Sequence, residues 1–474
     1  FGNFNNFVER KYVLSETAFT RKGKLSLKSI IKYPLCNRKK TTSIEVNRFL
    51  RNELNDRGVT ITKQAISEKR QFIDPIVYMD MNDNFISKIY AHQEEMASFK
   101  GFHVCAIDSS IVEIPNTKLT RKEFGIPEKT QPKKDTSSAR ISCMVDTHWD
   151  FVISSNLTNK KVNELTNAII HLDDAKDKID LKKTITTYDR GYNFTELMVK
   201  TIHLDSYFLI RAKKSTFKKK QSAMKTKGIN DATFRITLNK LKIDKFNSED
   251  LKKYAEKIRD INVRIVKVKL KNGITEVLFT NLPKEIATPE ELKQLYGERW
   301  KIETDYDRLK NKLYIEKFSG RRRTIIEQDF YSHIFLLNLL IGIKHDAELK
   351  ITRKPKETAK YTYEYHSNVN VLIGEIKDQL PRLLTNNQEQ IQQVIQEIME
   401  IGSKELVATK IPAPTNEERN KKTRNKFVSS LFDNPKLITN LLKLIPYQFI
   451  VAGLWLVFKN RERTPVTKRI IAEM

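Results

Sequence analysis

The amino-acid sequence predicts an α/β protein in which a strand-rich core, interrupted by a basic β-rich insertion, lies between helical N-terminal and C-terminal regions. Three observations support this prediction. Strand-like segments separated by helical segments begin near residue 100, and a hairpin signal lies in a lysine-rich stretch that begins at Lys213. Helical spacing of apolar residues marks the first 90 residues and the chain beyond Asp346. The predicted boundaries are residues 1–90, 100–212, 213–282, 283–346 and 347–474.

The first 90 residues are basic and contain a candidate helix-turn-helix. Apolar residues at helical spacing predict a helix around residues 46–54, Gly58 marks its end, and Thr62 opens a second short helix. This second helix would offer Lys63 and Gln64 to DNA. An ordinary pair of helices explains the same pattern, and the sequence does not choose between the two interpretations.

Two aspartates follow predicted buried strands. The predicted strands are residues 101–107, 139–145, 151–153, 184–188 and 207–210, with helices at residues 163–172 and 194–204. Asp108 follows the first strand, and Asp189 follows the fourth and opens the sequence Asp-Arg-Gly-Tyr. A single aspartate at a strand end is usually a turn former or a helix cap. Neither residue therefore identifies a site on its own.

The insertion at residues 213–282 is strongly basic. It contains 19 Lys and Arg against 7 Asp and Glu, including the run Lys218, Lys219 and Lys220. The dipeptide Asn272-Gly273 separates two strand-like segments, residues 263–270 and 274–279, and predicts a tight hairpin. The charge favours a contact with DNA, while a surface decoration with solvated lysines is the alternative.

A helix is predicted to begin at Thr288. Thr288 can act as the N-cap, Pro289 suits the first helical position, and Glu291 completes a capping box. An apolar stripe is expected to anchor one side of this helix; its members are Leu295, Ile302, Tyr306, Leu309 and Leu313. Trp300 falls on another flank and is predicted to pack in the core.

Four polar side chains share a second stripe of this predicted helix. Arg299, Glu303 and Lys310 follow Tyr296 by three, seven and fourteen residues. At about 100° of rotation per residue, these offsets keep all four within roughly 60° of one another. A carboxylate can ligate a metal while the phenol, guanidinium and ammonium hold phosphate oxygens. A solvated helix face with ion pairs one turn apart is the structural alternative.

Composition favours a folded protein with a polyanionic partner. The formal net charge is +28 and the isoelectric point is near 9.7. Nucleic acid is the most plausible partner and an acidic membrane surface is the alternative. Cys36, Cys105 and Cys143 are odd in number and lack paired spacing, which argues against a disulfide framework and for a reducing compartment. The longest uncharged stretches, residues 330–343 and 444–458, are too short to span a bilayer.

The spacing of Tyr296, Arg299, Glu303 and Lys310 resembles the Y-R-E-K motif of DDE transposases in the insertion-sequence-four family, which includes the transposon-five-like enzymes. The resemblance covers roughly residues 100–345. It implies an RNase H-like catalytic core, and the predicted order of three strands, helix, strand, helix and strand agrees with that core. It also implies a DNA transposase that cleaves transposon ends and joins them to target DNA.

The resemblance implies that Asp108, Asp189 and Glu303 are the catalytic residues and the metal ligands. Three carboxylates in one place repel one another, and cations relieve that repulsion. Oxygen ligands suit two Mg²⁺ ions, for which Mn²⁺ can substitute. Two ions roughly 3.5 to 4 Å apart activate water or a 3′-hydroxyl and stabilise the leaving oxygen of a phosphodiester.

The same resemblance implies several DNA contacts and a partner. Arg299 and Lys310 would hold phosphates of the transposon end, and Tyr296 would add a hydroxyl contact. Arg190 is a further candidate contact. A homodimer is expected in the synaptic complex, because two protomers hold two DNA ends, and the bacterial cytoplasm is the expected location.

The sequence is compatible with two other functions and with two roles for its C-terminal region. A transposase-derived DNA-binding protein that no longer cuts is disfavoured by the presence of Asp108, Asp189 and Glu303. A structure-selective nuclease with the same core is disfavoured by the Y-R-E-K spacing. In the C-terminal region, an apolar amphipathic stretch at residues 435–458 predicts either a dimerisation helix or a helix packed on its own domain.

Overall fold

A computed structural model describes residues 10–21, 23–53, 61–92, 96–125, 137–192, 194–213, 215–270, 273–357, 361–383 and 388–412. These residues fall into two compact units. The first unit comprises the described residues up to Ile89, the segment Asn311–Gly320 and the described residues from Thr324 onward. The second unit comprises the described residues of Tyr90–Lys310 together with Arg321–Arg323.

The N-terminal part of the first unit is helical, as predicted. Its helices are α1 (Leu27–Leu35), α2 (Thr42–Glu53), α3 (Lys63–Arg70) and α4 (Ile76–Ile89). The Thr62 hydroxyl caps α3 by accepting a hydrogen bond from the backbone N–H of Ala65. The predicted stop at Gly58 lies outside the described residues. The helix pair α2 and α3 therefore exists, while its use as a DNA-reading motif stays a prediction.

The second unit is built on a mixed sheet of eight strands. In space the strands follow the order β3-β2-β1-β4-β5-β8-β7-β6. The strands are β1 (His103–Glu113), β2 (Ser138–Asp146), β3 (Val152–Asn159), β4 (Thr184–Tyr188), β5 (Tyr207–Arg211), β6 (Asp231–Thr237), β7 (Asp260–Lys269) and β8 (Thr275–Thr280). The pairs β1/β4 and β4/β5 are parallel, whereas the other neighbouring pairs are antiparallel.

The five predicted core strands are all present, but the first is longer than expected. Asp108 is the sixth residue of β1 and not a residue beyond its end. The strand continues because β2 pairs with it as far as the match of Glu113 with Ser138. The prediction that Asp108 lies at a strand end is therefore wrong. The prediction for Asp189 is confirmed, because β4, the parallel neighbour of β1, ends one residue before it.

Helices connect the strands of the second unit. They are α5 (Lys118–Phe124), α6 (Glu164–Ala175), α7 (Thr195–His203), α8 (Lys218–Thr226), α9 (Lys240–Ile243) and α10 (Glu249–Ile258). Helices α6 and α7 confirm the two helices predicted between the core strands. Asn163 caps α6 through a hydrogen bond from the backbone N–H of Thr166 to its side chain.

The basic insertion differs from the prediction in two ways. It holds α8, α9 and α10 as well as strands, so it is mixed α/β and not simply β-rich. Its strands β6, β7 and β8 also extend the main sheet beyond β5. The predicted hairpin is confirmed as the antiparallel pair β7/β8. Gly273 has a φ of 79°, which favours glycine, while Asn272 lies outside the described residues.

The predicted long helix after Thr288 is broken into three pieces, α11 (Pro289–Glu298), α12 (Lys301–Asp307) and a π-helical turn (Arg308–Lys312). The capping box at Thr288 and Glu291 is confirmed. Between α11 and α12 the backbone N–H of Arg299 bonds to the carbonyl of Tyr296, three residues earlier. Such bonds give three residues per turn, and a π turn winds more loosely. A constant rotation of about 100° per residue therefore does not apply here.

Helix α11 packs on one face of the sheet. Its Leu292, Leu295 and Tyr296 join a buried apolar cluster with Val104 of β1 and Ile185 of β4. Burial of this face by aliphatic side chains is the main stabilising contribution available to such a helix. The cluster places the end of α11 next to the two strands that carry Asp108 and Asp189.

The C-terminal part of the first unit is helical with a small sheet that the sequence did not indicate. Its elements are α13 (Arg323–Leu349), β9 (Lys356–Glu357), β10 (Tyr361–Ser367), α14 (Val369–Leu383), α15 (Gln388–Lys404) and β11 (Leu406–Pro412). Strand β10 pairs antiparallel with both β9 and β11. The predicted amphipathic stretch at residues 435–458 lies outside the described residues. Within the described part of the chain, no helix is both long and apolar enough to cross a membrane.

Candidate active site

The sheet places Asp108 and Asp189 side by side. In the parallel pair β1/β4, Ile107 is matched with Tyr188, so the two aspartates are the next residues on neighbouring strands. Their proximity has an electrostatic consequence, because the charge of Asp189 raises the pKa of Asp108. Two of the three predicted acids are thus brought together by strand register alone.

The carboxyl group of Asp108 is hard to ionise. Its pKa is raised from 3.8 to about 6, chiefly by burial and to a smaller extent by the neighbouring carboxylates of Asp189 and Glu164. The backbone N–H of Ser109, which donates to Asp108 Oδ1 at 2.8 Å, and the guanidinium of Arg299 oppose this effect. Desolvation and repulsion outweigh both, so Asp108 is harder to ionise than a free aspartate.

Arg299 connects the first and third predicted acids. Its Nη1 lies 3.2 Å from Asp108 Oδ2, and its Nη2 lies 3.5 Å from Glu303 Oε1. The Arg299 side chain is only 8% exposed, whereas that of Glu303 is 45% exposed. The guanidinium therefore contacts two acids at once and links Glu303 to Asp108.

The predicted polar stripe does not form as a single exposed face. Tyr296 is 5% exposed within the apolar cluster of α11, and Arg299 is 7% exposed. Lys310 Nζ donates to Ser110 Oγ at 2.7 Å and to the carbonyl of Ile111 at 2.9 Å, both on β1. Changing helical pitch turns these side chains inward.

Trp300, predicted to be core, is 62% exposed instead. The same change of pitch between α11 and α12 explains its position, because the residue lies in the tightened turn. The guanidinium carbon of Arg299 lies 5.5 Å from the centre of the Trp300 ring, within the range of a cation–π contact.

A fourth carboxylate, Glu164, lies beside the aspartates and was missed from sequence. Its Oε1 accepts hydrogen bonds from Ser109 Oγ at 3.2 Å and from Arg140 Nη1 at 3.1 Å. An acid in the first turn of a helix, directly after an N-cap, is common for purely local reasons. No pattern in the sequence therefore distinguished Glu164 from other helix-starting acids.

Gly191 leaves room for two carboxylates. A Cβ at this position would lie 2.8 Å from Asp189 Oδ1 and 3.0 Å from Glu164 Oε2. The backbone N–H of Gly191 also donates to Asp189 Oδ1 at 2.6 Å. Next along the chain, Tyr192 is 1% exposed and its hydroxyl has no hydrogen-bond partner among the described residues. The charges of Asp108 and Glu164 raise the pKa of this phenol, after burial.

These features fit a hard divalent cation. The donors are carboxylate oxygens, the ligands that Mg²⁺ prefers. The absence of a side chain at Gly191 lets the carboxylates of Asp189 and Glu164 approach its Cα, and the Arg299 guanidinium already stands as a cation beside Asp108 and Glu303. As the described side chains stand, no three His, Cys, Asp or Glu residues are gathered closely enough to hold one metal ion.

The other predicted DNA contacts are exposed and lie on other elements. Arg190 is exposed in the short turn after β4, and Lys218, Lys219 and Lys220 are exposed on the first turn of α8. Lys63 and Gln64 are exposed on the first turn of α3, in the first unit.

Residues 100–339, half of the chain, match the family model for the transposase DDE domain. The chain belongs to the DDE transposase family. The matched segment spans β1 through most of α13 and therefore contains Asp108, Asp189 and Glu303. Divalent metals are the general cofactors of this family.

Among solved structures, the chain is similar to the piggyBac transposase in a synaptic complex with hairpin DNA, determined by cryo-electron microscopy. The sequence identity is 10%, the TM-score is 0.39, and the alignment covers 91% of this chain and 85% of that one. No curated protein matches the chain.

Proposed function

We propose that this transposase binds the terminal inverted repeats of its element, cleaves the DNA ends and joins them to target DNA by metal-dependent hydrolysis and transesterification. The observation that carries the proposal is the placement of Asp108 within β1 and of Asp189 directly after the parallel neighbour β4, with Glu303 linked to Asp108 through Arg299. The site lies within the part of the chain that matches the family.

The proposal includes an RNase H-like core of the insertion-sequence-four type. The strand order β3-β2-β1-β4-β5, with β1, β4 and β5 parallel, supports it. The Y-R-E-K spacing of Tyr296, Arg299, Glu303 and Lys310 supports the assignment to that group.

Asp108, Asp189 and Glu303 would hold the divalent cations, most plausibly two Mg²⁺ with Mn²⁺ as a substitute. When bound, such ions supply Lewis-acid stabilisation of the attacking and leaving oxygens of a phosphodiester. The chain's own contribution is preorganisation. Strand pairing would set the positions of the two aspartates, and α12, the helix that bears Glu303, contacts β1.

Burial and charge repulsion together explain why cation binding would stabilise the acids of this site. Asp108 lies beside Asp189 and Glu164, and burial, with a smaller contribution from these two carboxylates, raises its pKa to about 6. A cation that neutralises these acids lowers that pKa and stabilises the ionised form. Arg299 performs part of this role for Asp108 and Glu303 in the arrangement described above.

DNA binding would rest on the basic surface of the second unit. Lys218, Lys219, Lys220 and Arg190 are exposed and available to phosphates. Lys63 and Gln64 on α3 remain candidates for reading the transposon end. Contacts of Tyr296, Arg299 and Lys310 with DNA would require these side chains to leave the internal contacts that they make here.

A homodimer in the synaptic complex and a location in the bacterial cytoplasm, near the nucleoid, complete the proposal. Concerted joining requires that two DNA ends be held together, and a pair of protomers can hold one end each. The candidate dimerisation stretch at residues 435–458 lies outside the described residues.

Incubation of the protein with its element's terminal repeats, a target plasmid and Mg²⁺ tests the proposal. The expected result is cleavage at the repeat ends followed by covalent strand-transfer products. Binding without cleavage would instead favour a transposase-derived DNA-binding protein. Cleavage of branched DNA without joining would favour a structure-selective nuclease.

A further inference from the structure

Tyr306 joins the helix that carries Glu303 to the strand that carries Asp108. Its hydroxyl donates a hydrogen bond to the backbone carbonyl of Asp108, with the two oxygens 2.5 Å apart. Tyr306 lies three residues after Glu303 on α12, so the two residues are neighbours on the helix surface, with Tyr306 buried and Glu303 exposed. This hydrogen bond therefore connects α12, which bears Glu303, with β1, which bears Asp108.

The acceptor of this bond is fixed from the other side. The hydroxyl of Ser142 on β2 also donates to the Asp108 carbonyl, at 3.1 Å. Ser142 Oγ lies 2.9 Å from Nε2 of the buried His171, whose Nδ1 lies 2.8 Å from Ser154 Oγ. The sheet therefore holds the Asp108 backbone in place, and Tyr306 holds α12 against it.

Two charged contacts link β1 to residues on either side of α12, and both can be exchanged for contacts with phosphate. Arg299 pairs with the Asp108 carboxylate, and Lys310 donates to Ser110 and to the carbonyl of Ile111. A guanidinium and an ammonium are the groups that phosphates attract most strongly. The Tyr306 hydroxyl is different, because it is an uncharged group in a residue that is only 7% exposed. It therefore remains a donor to Asp108 when the charged groups turn towards DNA.

We propose that Tyr306 is a positioning residue that sets the separation of Asp108 and Glu303 during the reaction. The inference rests on the proposed function, because it assigns Tyr306 a role in the site formed by those acids. Loss of the hydroxyl would leave the ring packed but would let α12 shift relative to β1.

Tyr306→Phe tests this inference, since it removes only the hydroxyl. At saturating DNA, the single-turnover cleavage rate should fall by about 10- to 100-fold, because small errors of position are costly in such reactions. The dissociation constant for the DNA end should stay within about twofold. The second measurement is a calorimetric Mn²⁺ titration of the DNA-free protein. The Mn²⁺ affinity of Tyr306→Phe should be at least threefold weaker than that of wild type. A merely structural role of the hydroxyl would leave the Mn²⁺ affinity of the folded protein unchanged.

Tyr33→Phe is the matched control. Tyr33 is 2% exposed in the first unit, and its hydroxyl has no hydrogen-bond partner among the described residues. This variant should keep wild-type cleavage and Mn²⁺ affinity. Both variants should remain folded, with melting temperatures within about 5 °C of wild type.

Cleavage and Mn²⁺ affinity of Tyr306→Phe within twofold of wild type would overturn the positioning role and leave the proposed function intact. Wild-type protein that neither binds Mn²⁺ nor cleaves its terminal repeats would overturn the proposed function, and the role of Tyr306 with it.

Discussion

Asp108→Asn should stabilise the cation-free protein at neutral pH while abolishing cleavage. The folded pKa of Asp108 is about 6, against an ordinary value of 3.8. A carboxyl group that is harder to ionise when folded destabilises the folded state as pH rises from about 4 to about 6. The shift corresponds to about 3 kcal/mol at pH 7 and above. This value is net, because the Arg299 ion pair already opposes the shift.

The assay is thermal or urea denaturation of wild type and Asp108→Asn without divalent ions, from pH 4 to pH 8. The variant should match wild type near pH 4, where both side chains are neutral. At pH 7.5 it should be more stable, with the transition of the second unit raised by up to roughly 10 °C. Excess Mg²⁺ should stabilise wild type more than the variant. A stability difference that does not change with pH, or a less stable variant at pH 7.5, would refute the reasoning.

Three other changes give distinct outcomes. Arg299→Gln removes a cation that lowers the pKa of Asp108, so the rising limb of cleavage rate against pH should move to higher pH; an unchanged limb would show that Asp108 does not set it. Gly191→Ala should reduce cleavage and Mn²⁺ affinity because its Cβ would meet the carboxylates of Asp189 and Glu164, whereas Gly297→Ala, which meets nothing within 4 Å, should be harmless. Replacing Lys218, Lys219 and Lys220 by Gln should flatten the log–log dependence of DNA binding on salt by about 0.9 for each phosphate that these lysines neutralise in the wild type. The same triple change at three other exposed lysines is the control and should leave the slope nearly unchanged; these are Lys118, Lys161 and Lys176.

Strand periodicity and local signals were enough to predict the frame of the site. Alternating and continuous apolar segments identified β1 to β5, and the capping box fixed the start of α11 at Pro289. The adjacency of Asp108 and Asp189 follows from two strands that pair in parallel. These features depend on short-range sequence patterns, and such patterns are visible in a single chain.

The arrangement around Glu303 could not be predicted in the same way. A uniform helix was assumed, but the turn at Arg299 tightens and the turn after Asp307 widens. Those changes bury Tyr296 and Arg299 and expose Trp300. Helical pitch at such points is set by packing against the sheet, which is a long-range property.

The tertiary partners of the site were also beyond the sequence. Tyr306 was predicted as one member of an apolar stripe, and its burial agrees, but its hydroxyl meets Asp108, 198 residues earlier in the chain. Glu164 comes from a helix that precedes β4, and its place beside Gly191 depends on how that helix lies on the sheet. Neither contact can be inferred from the local spacing of residues in the sequence.

Strand transfer from pre-cleaved terminal repeats into a target plasmid, with Mg²⁺ present, tests most directly whether Asp108, Asp189 and Glu303 form one catalytic site. Asp108→Asn, Asp189→Asn and Glu303→Gln should each bind the DNA end with near wild-type affinity and give no joined product. Joining at a near wild-type rate by any of the three variants would contradict the assignment and remove that residue from the site.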